Sequence, residues 1–330
     1  MAGELWGGSC EIGKEVAYGT VPTVSTRLMY FNPGSHLTTE REPRLHRFQT
    51  GTRENLRNIT LGPEVAGGQV ILPMSAEILE LLEIGLLGSV AAVGAGANKT
   101  WTFKPGTALD SATMRWHDGA RPWRATGVYA GKLNIKGSVD GENLLTADLF
   151  AKSITQEALT GGLAAATPAV FEGWESAIAI DAFGGVAGTT PKTGLMLDWD
   201  VTIDNAPGRH YTAENTQAIS SITLGEVSVE ATLTVMASAA QALTEFNNWV
   251  AATKRLIRLI FGNNTAIGAT GVNEKIWVDL PLAWTATDLN QESNGVRAYQ
   301  LKGQGVYDVA NVFGVQVIVT TARDAVFDDR

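Results

Sequence analysis

The amino-acid sequence predicts a mainly β protein with two tandem units, each carrying one flanking α-helix. Long stretches of the chain alternate apolar with polar residues, as half-buried antiparallel strands do. The 330 residues include 36 Gly and 34 Thr but only 18% charged residues, which indicates a β-rich protein partly covered by neighbouring molecules. A short pattern also recurs in the two halves of the chain. These three observations predict the fold class.

Strands are predicted where β-branched and aromatic residues alternate with polar ones. Asp140-Gly141 lies between two such stretches and predicts a hairpin turn, because Asp-Gly readily adopts positive φ. In the first half the predicted strands are 20–31, 68–74, 100–104, 112–116, 123–139 and 144–150. In the second half they are 194–204, 222–236, 256–261, 275–285, 296–307 and 315–321.

One helix is predicted directly after Pro73-Met74. Ser75 is a suitable N-cap, and Glu77 lies in the first turn. The apolar residues at helical spacing are Ile78, Leu81, Leu82 and Leu86. They predict an amphipathic helix that buries one face.

A second helix is predicted to start at Ser238. Gln241, three residues later, completes a capping box in which each side chain bonds to the backbone of the other residue. The predicted apolar stripe consists of Ala242, Leu243, Phe246, Trp249 and Val250.

The two helices mark an internal repeat. Ile59-Thr-Leu-Gly62 leads through a strand to Ser75, and Ile222-Thr-Leu-Gly225 leads through a strand to Ser238, both at a spacing of 163 residues. Such a repeat indicates duplicated, quasi-equivalent domains. The expected division is a first domain at 1–160, a linker rich in Ala, Gly and Thr at 161–192, and a second domain at 193–330.

The charge balance argues against a protein that grips nucleic acid. The chain has 25 Lys and Arg against 34 Asp and Glu, a net charge of −9, and nearly all the negative excess lies after residue 160. Nucleic-acid binding draws its affinity from basic side chains that neutralise phosphates. Cys10 is the single cysteine, which excludes an intramolecular disulfide and a Cys-based metal site and fits a reducing compartment.

Neither a secretory signal nor a membrane-spanning helix is expected. The first residues lack a basic region followed by an apolar one. The most apolar stretch, 84–97, is too short to span a bilayer and is rich in Gly and Ala.

We expect neither an enzyme nor a protein with a cofactor or a metal. The four histidines lack metal-ligand spacing; they are His36, His46, His117 and His210. The segment 94–99 lacks the third glycine of a dinucleotide loop, and 127–132 is one residue short of a phosphate-binding loop. Both are expected to be turns or bulges.

Three aspartates, Asp198, Asp200 and Asp204, stand at even spacing in a predicted strand. They could be read as calcium ligands or acid–base carboxylates, but the glycine turn and downstream Glu of a calcium loop are missing. Residues an even number of positions apart on a strand point the same way. The pattern therefore predicts an acidic strand face that is exposed to solvent.

One arginine-rich segment stands out in a chain with few charges. Its arginines are Arg41, Arg44, Arg47, Arg53 and Arg57. Two interpretations stay open: a solvated loop whose glutamates partly cancel the charge, or an arm that docks on an acidic patch of another copy. The second is considered because Arg is frequent at protein interfaces.

Several stretches resemble the tail tube proteins of tailed bacteriophages of the long-tailed, siphophage-like kind. The opening 12–20 carries a Glu–x–x–x–Gly-Thr segment, and a strand at 26–31 and a polar, Arg-bearing arm at about 36–58 follow it. The other similar stretches are 66–82, 201–205 and 276–281. The resemblance covers essentially the whole chain, through packing and turn patterns rather than a catalytic signature.

The resemblance implies tail-tube-like β-sandwich or barrel domains whose sheets join edge to edge into a ring with a continuous β-barrel lumen. Rings stack into a hollow tube through which viral DNA passes without specific binding. Two such units in one chain predict a trimer with pseudo-sixfold symmetry. The arm arginines would then lie between subunits or rings, and the three aspartates would face the lumen.

The same resemblance predicts where the protein is found and what it meets. The expected partners are further copies of the chain and the tape-measure, tail-tip and tail-terminator proteins. The expected location is the virion tail, with the host cytoplasm during assembly, and no membrane is involved.

Three other classes of protein are alternatives to the tail tube. One is a β-sandwich module that binds carbohydrate or a cell surface through exposed tryptophans, for which Trp116, Trp123, Trp199 and Trp284 are the candidates. The others are another tail or capsid-decorating protein, and a β-structured hydrolase with scattered carboxylates. Core packing is the competing explanation for the tryptophans.

Overall fold

In the computed structural model, most of the chain is described. The described ranges are 10–22, 25–47, 56–86, 89–94, 98–107, 110–163, 168–213, 216–237, 239–267, 271–293 and 295–327. Ser238, the predicted cap of the second helix, and Arg53 lie outside these ranges.

The described residues confirm the mainly β class. Those of the first half form β1 (Cys10–Lys14), β2 (Arg27–Met29), β3 (His36–Arg47), β4 (Leu56–Pro73), α1 (Leu79–Leu86), β5 (Ser89–Val93), β6 (Lys99–Phe103), β7 (Ala112–His117), β8 (Pro122–Ser138), β9 (Leu144–Ala151) and β10 (Ser153–Gln156). Those of the second half form β11 (Ala177–Ala182), β12 (Met196–Asp204), β13 (Gly208–His210), β14 (Ser221–Thr223), β15 (Ser228–Met236), α2 (Ala239–Val250), β16 (Arg255–Ala266), β17 (Asn273–Ser293), β18 (Val296–Gly305) and β19 (Gln316–Thr321).

The first half forms two connected antiparallel sheets. One has the strand order β3–β4–β9–β8. The other has the order β2–β1–β7–β8–β10. Strand β8 is 17 residues long and runs through both sheets.

The second half has a similar strand order, with four strands instead of five in its second sheet. One sheet has the order β12–β15–β18–β17 and the other has the order β11–β16–β17–β19. The 21-residue strand β17 runs through both, as β8 does in the first half. The helices also correspond, because α1 follows β4 and α2 follows β15.

A bulge occurs at the same place in both halves. The register between β8 and β9 shifts around Gly131, and the register between β17 and β18 shifts around Thr285. A bulge bends its strand and increases the local twist. Both long strands are therefore bent where they pass from one sheet to the other.

The two halves join through their sheets. Residues 132–138 of β8 pair with residues 198–204 of β12. A second junction pairs β19 with β6. The first junction produces one continuous sheet of eight strands, β3–β4–β9–β8–β12–β15–β18–β17.

Helix α1 differs from the predicted amphipathic helix. Ser75 caps the preceding 3₁₀ turn as expected, with its hydroxyl accepting the Glu77 N–H at 3.2 Å. However, every residue of α1 is buried, including Glu80 and Glu83. The prediction missed this because both carboxylates find basic partners distant in sequence, Arg323 and Lys14.

Helix α2 is less covered than its predicted stripe suggests. Leu243 is 59% exposed and Val250 is 66% exposed, while Trp249 packs against the core. The predicted apolar stripe of α2 is therefore only partly buried in a single chain.

Several predicted boundaries need correction. Among the described residues of the predicted strand 20–31, only 27–29 form a strand. The predicted strand 222–236 is divided between β14 and β15. The proposed linker 161–192 contains β11, which pairs with β16 along its whole length. The sequence Ala-Ile-Ala-Ile of β11 is typical of a strand, but the Gly-rich residues around it led to the prediction of a linker.

Candidate functional site

The eight-stranded sheet has one apolar face and one polar face. On β12, Trp199, Val201 and Ile203 are buried and the residues between them are not. The same alternation holds on residues 131–136 of β8 and on β9 and β15. Because successive strand residues point to opposite faces, the polar positions of neighbouring strands share one surface. We call it the polar face.

The predicted acidic residues lie together on the polar face. Asp198, Asp200 and Asp204 alternate with the buried side chains of β12, as the spacing predicted. Asn134 of β8 donates to Asp200 Oδ1 at 2.6 Å, and Lys136 Nζ lies 3.9 Å from Asp200 Oδ2. Asp200 is therefore held by side chains of the neighbouring half.

Cross-strand rows carry the polar face across both halves. One row runs through Gln69, Asp148, Lys132 and Asp204 on β4, β9, β8 and β12, with Gln69 donating to Asp148 at 3.3 Å. Carboxylates predominate over ammonium groups in these rows. The acidic residues are Asp148, Asp198, Asp200, Asp204, Glu230 and Asp288, and the basic residues are Lys132, Lys136 and Lys302.

Both outer edges of this sheet lack a second neighbour among the described residues. Strand β3 pairs with β4 alone, and residues 283–293 of β17 pair with β18 alone. Each edge leaves a row of backbone N–H and C=O groups that could pair with another strand. Long open edges of this kind are templates for association.

The arginine-rich segment forms an arm. Beyond residue 40, strands β3 and β4 continue as a two-stranded ribbon past the end of the sheet, and we call 41–47 with 56–65 the arm. Leu45 and Ile59 lie opposite each other on it, and they are 50% and 55% exposed. Leu61 is similarly exposed. The arm therefore presents apolar side chains to solvent.

The arm arginines do not all behave alike. Arg44 and Arg47 are exposed. Arg41 instead donates to Glu64 Oε2 at 2.8 Å within the arm. Arg57 lies on β4, and Arg53 falls outside the described residues. Arg41 is exposed as well, so the three described arginines of β3 differ in their pairing and not in their exposure.

Glu64 stabilises the root of the arm, by which we mean the place where the arm meets the sheet. Burial by itself would raise the pKa of its carboxyl, but bonds from Arg41, from the Thr39 hydroxyl at 2.8 Å and from the Ile154 N–H at 3.2 Å hold the pKa below the usual value. The charged carboxylate is therefore the form that holds β3, β4 and β10 together.

A hairpin of the second half supports the same root. Strands β13 and β14 pair with each other, and their connection contacts the arm. Tyr211 Oη donates to Glu64 O at 2.9 Å, and Gln217 Nε2 donates to Leu61 O at 3.0 Å. The arm consequently leaves the body of the molecule in a defined direction.

The tryptophans proposed for a binding module are core residues. Trp116, Trp199 and Trp284 are buried, and Trp123 is partly buried with its Nε1 donating to Asp118 at 2.7 Å. This result removes the aromatic surface on which that alternative depended. The exposed tryptophan of the described chain is Trp174, which the sequence analysis did not single out because it lies in the presumed linker.

The weak motifs prove to be structural elements. Residues 127–132 lie within β8, and Gly94 has a φ of +135° at the turn after β5. Across the described ranges, no three His, Cys, Asp or Glu residues come together as a metal-ligand group. Among the same residues, no helix is long and apolar enough to cross a membrane.

The described chain is thus a mainly β protein whose large antiparallel sheet has one polar face, two open edges and a projecting arm. A family model described as phage tail tube protein matches residues 11–301 of the chain. The chain therefore belongs to the phage tail tube family, and it is a structural protein of the virion tail that assembles into a tube with other tail proteins. No curated protein matches this chain.

Proposed function

We propose that three copies of this chain close into a ring and that such rings stack into a hollow tube for the passage of viral DNA. The observation that carries the proposal is the continuous eight-stranded sheet with equivalent strands at the internal junction and at the open edges. Closing the sheet into a barrel would remove both open edges.

The internal junction supplies a template for the contact between copies. Within one chain, β8 of the first half pairs with β12 of the second half. By the repeated strand order, β17 corresponds to β8, and β3 corresponds to β12. The open edge of β17 would therefore pair with β3 of the next copy in the same antiparallel way. Each chain would contribute two quasi-equivalent domains, 1–160 and 193–330 with β11 added to the second, to a ring with pseudo-sixfold symmetry.

The equivalences also define a register. Leu37 lies opposite Gly68, and Val201 lies opposite Ala231, where Gly68 and Ala231 are related by the sequence repeat. Thr38 thus corresponds to Thr202, which pairs with Asn134. Asn134 and Asp288 both stand three residues after their bulges. Thr38 of one copy is therefore expected opposite Asp288 of its neighbour.

The charge of the polar face suits a channel for DNA. The polar face would line the lumen, with Asp198, Asp200 and Asp204 among its acidic groups. A negative surface repels phosphates, whereas a basic surface would bind them and slow their passage. The lumen would thus conduct DNA without holding it.

The arm and the tail environment complete the proposal. The arm arginines, with Arg44 and Arg47 exposed, would contact the adjacent ring. Assembly would take place in the host cytoplasm with tape-measure, tail-tip and tail-terminator proteins, as in a long-tailed phage. Ring mass from native mass spectrometry tests the stoichiometry: three chains support the tandem-domain ring, and six chains overturn it.

Cysteine cross-linking tests the register. The Val139 N–H donates to Leu197 O and the Asn205 N–H donates to Gly131 O, each at 2.9 Å. These hydrogen-bonded pairs use odd positions of β8, so the Asn134–Thr202 pair is of the non-hydrogen-bonded type, in which side chains are closest. The equivalent variant, Thr38→Cys with Asp288→Cys, should form a disulfide between copies upon oxidation.

The control variant combines Thr38→Cys with Thr287→Cys, because Thr287 and Asp288 point to opposite faces of β17. The native Cys10 is buried, and burial raises the pKa of its thiol, so it remains unreactive. Covalent trimers with the first pair and none with the control support the register. Assembled rings that fail to cross-link with the first pair overturn it.

A further inference from the structure

Stacked rings of one polarity bring opposite ends of the molecule together. The arm projects from one end of the eight-stranded sheet, where β12 ends at Asp204 and β15 begins at Ser228. A head-to-tail contact must therefore place the arm on the other end of the next subunit. That end carries the turn between β8 and β9 at residues 139–143.

An exposed tryptophan stands beside this turn. Trp174, in a 3₁₀ turn at Gly173–Glu175, is 65% exposed. The Gly173 N–H donates to Gly141 O at 3.0 Å, which ties the 3₁₀ turn to the β8–β9 turn. Trp174 therefore belongs to the end of the molecule opposite the arm.

The segment under Trp174 is firmly held. The Asn143 amide donates to Phe171 O at 2.9 Å and to Ser176 Oγ at 3.0 Å, so it spans both ends of the 3₁₀ turn. Asn143 and Phe171 are both fully buried. A large aromatic side chain on such a fixed support loses little conformational entropy when it is covered, which is typical of interface anchors.

Three glutamates neighbour the tryptophan, two of them within two residues in sequence and the third across a β-bridge. Glu142 and Glu172 are exposed and form an isolated β-bridge with each other, and Glu175 is half-exposed. The arm offers the complementary chemistry: Leu45 and Ile59 are exposed apolar residues, and Arg44 and Arg47 are exposed cations. Each end of the molecule thus carries exposed apolar groups, and the cations of the arm are complementary to the carboxylates at the opposite end.

We propose that Trp174, with Glu142 and Glu172, is the surface that receives the arm of a second copy in the adjacent ring. Leu45 and Ile59 cover the indole from one face of the arm. The long side chains of Arg44, which starts on the other face, and Arg47, at the end of β3, reach past the edges of the ribbon and pair with the carboxylates. The described residues 41–47 alone extend about 23 Å at about 3.3 Å per residue, so the arm reaches well past the end of the sheet. The inference rests on the proposed stacking of rings.

A charge swap tests the pairing. The arm variant Arg44→Glu with Arg47→Glu, and the surface variant Glu142→Arg with Glu172→Arg, should each form rings of normal mass but no tubes in electron micrographs. The variant that carries all four substitutions should form tubes again. Tube formation should be restored only if these groups face each other. If the substitutions acted through the overall charge, the variant with all four would be no better at forming tubes than the other two.

Two tryptophan variants test the apolar part. Trp174→Ala should raise about tenfold or more the protein concentration at which tubes appear, while Trp174→Phe retains most of the assembly. Light scattering on purified rings gives this concentration. Tubes that form normally from the surface variant, or a fourfold variant that forms rings without tubes, would overturn the inference. Failure to form rings even in the unmodified protein would instead count against the proposed ring itself.

Discussion

Arg323 Nη1 donates to Glu80 Oε2 at 3.3 Å, across 243 residues of sequence. The second guanidinium nitrogen contacts Glu80 Oε1, and both side chains are almost completely buried. Trp101 Nε1 also donates to Arg323 O at 3.0 Å. These bonds connect the segment after β19 to α1 and β6 of the first half. They lie next to the junction at which β19 pairs with β6.

Removal of one partner of this buried pair should destabilise the protein strongly. Glu80→Ala leaves the buried Arg323 guanidinium with only the more distant Glu77 carboxylate at 3.8 Å, and removal of one partner of a buried pair costs about 3–5 kcal/mol. Chemical denaturation gives the free energy of unfolding. As a matched control, Lys136→Ala breaks the more exposed pair with Asp200 and should cost less than about 1 kcal/mol. Equal losses for the two variants would contradict a special role for the buried pair.

Gly173 is expected to tolerate no side chain. A Cβ at this position would overlap the Ser138 carbonyl oxygen, because the 3₁₀ turn approaches the β8–β9 turn so closely. Gly173→Ala should therefore reduce the free energy of unfolding by about 1–3 kcal/mol and displace Trp174. Thermal or chemical unfolding measures the loss, and tryptophan fluorescence reports the displacement.

Gly262→Ala is the control for this substitution, since a Cβ there would make ordinary contacts of 3.7 Å or more. Its unfolding free energy should stay close to that of the unmodified protein. A Gly173→Ala protein as stable as this control would show that the two turns can separate without cost.

The hold of Glu64 on the arm root should depend on pH. Its pKa is lowered in the folded protein, so its stabilising effect is present above the unfolded value of about 4.3 and is lost as the pH falls through the lowered pKa. The difference in unfolding free energy between the unmodified protein and Glu64→Gln should thus be largest near neutral pH and should vanish in acid. Denaturation curves from pH 7 to pH 3 measure it, and a difference independent of pH would contradict the assignment.

Local pattern predicted much of this molecule. Alternation located most strands, the Ser75 cap located the first helical turn, and the spacing of Asp198, Asp200 and Asp204 placed them on one strand face. Each of these features depends on residues within one element. Local composition was misleading at 161–192, where glycine and alanine hid the strand β11.

Other parts of the candidate site had no local signal. Arg41 resembles its neighbouring arginines in sequence, but in the structure its guanidinium is paired with the buried Glu64 carboxylate. The sequence offered Trp116, Trp123, Trp199 and Trp284 as candidates for exposed residues, but the exposed tryptophan of the described chain is Trp174. Whether a tryptophan is covered depends on the strands that pack over it, and these come from distant parts of the chain.

The sequence by itself determined the mainly β class and the two helices, because periodicity and capping act over a few neighbouring residues. The tertiary structure decided which strands are neighbours, where β8 meets β12, and which carboxylates are buried in ion pairs. Those outcomes depend on contacts between residues far apart in sequence. Pairing energies and burial are defined only when the chain has brought such residues together.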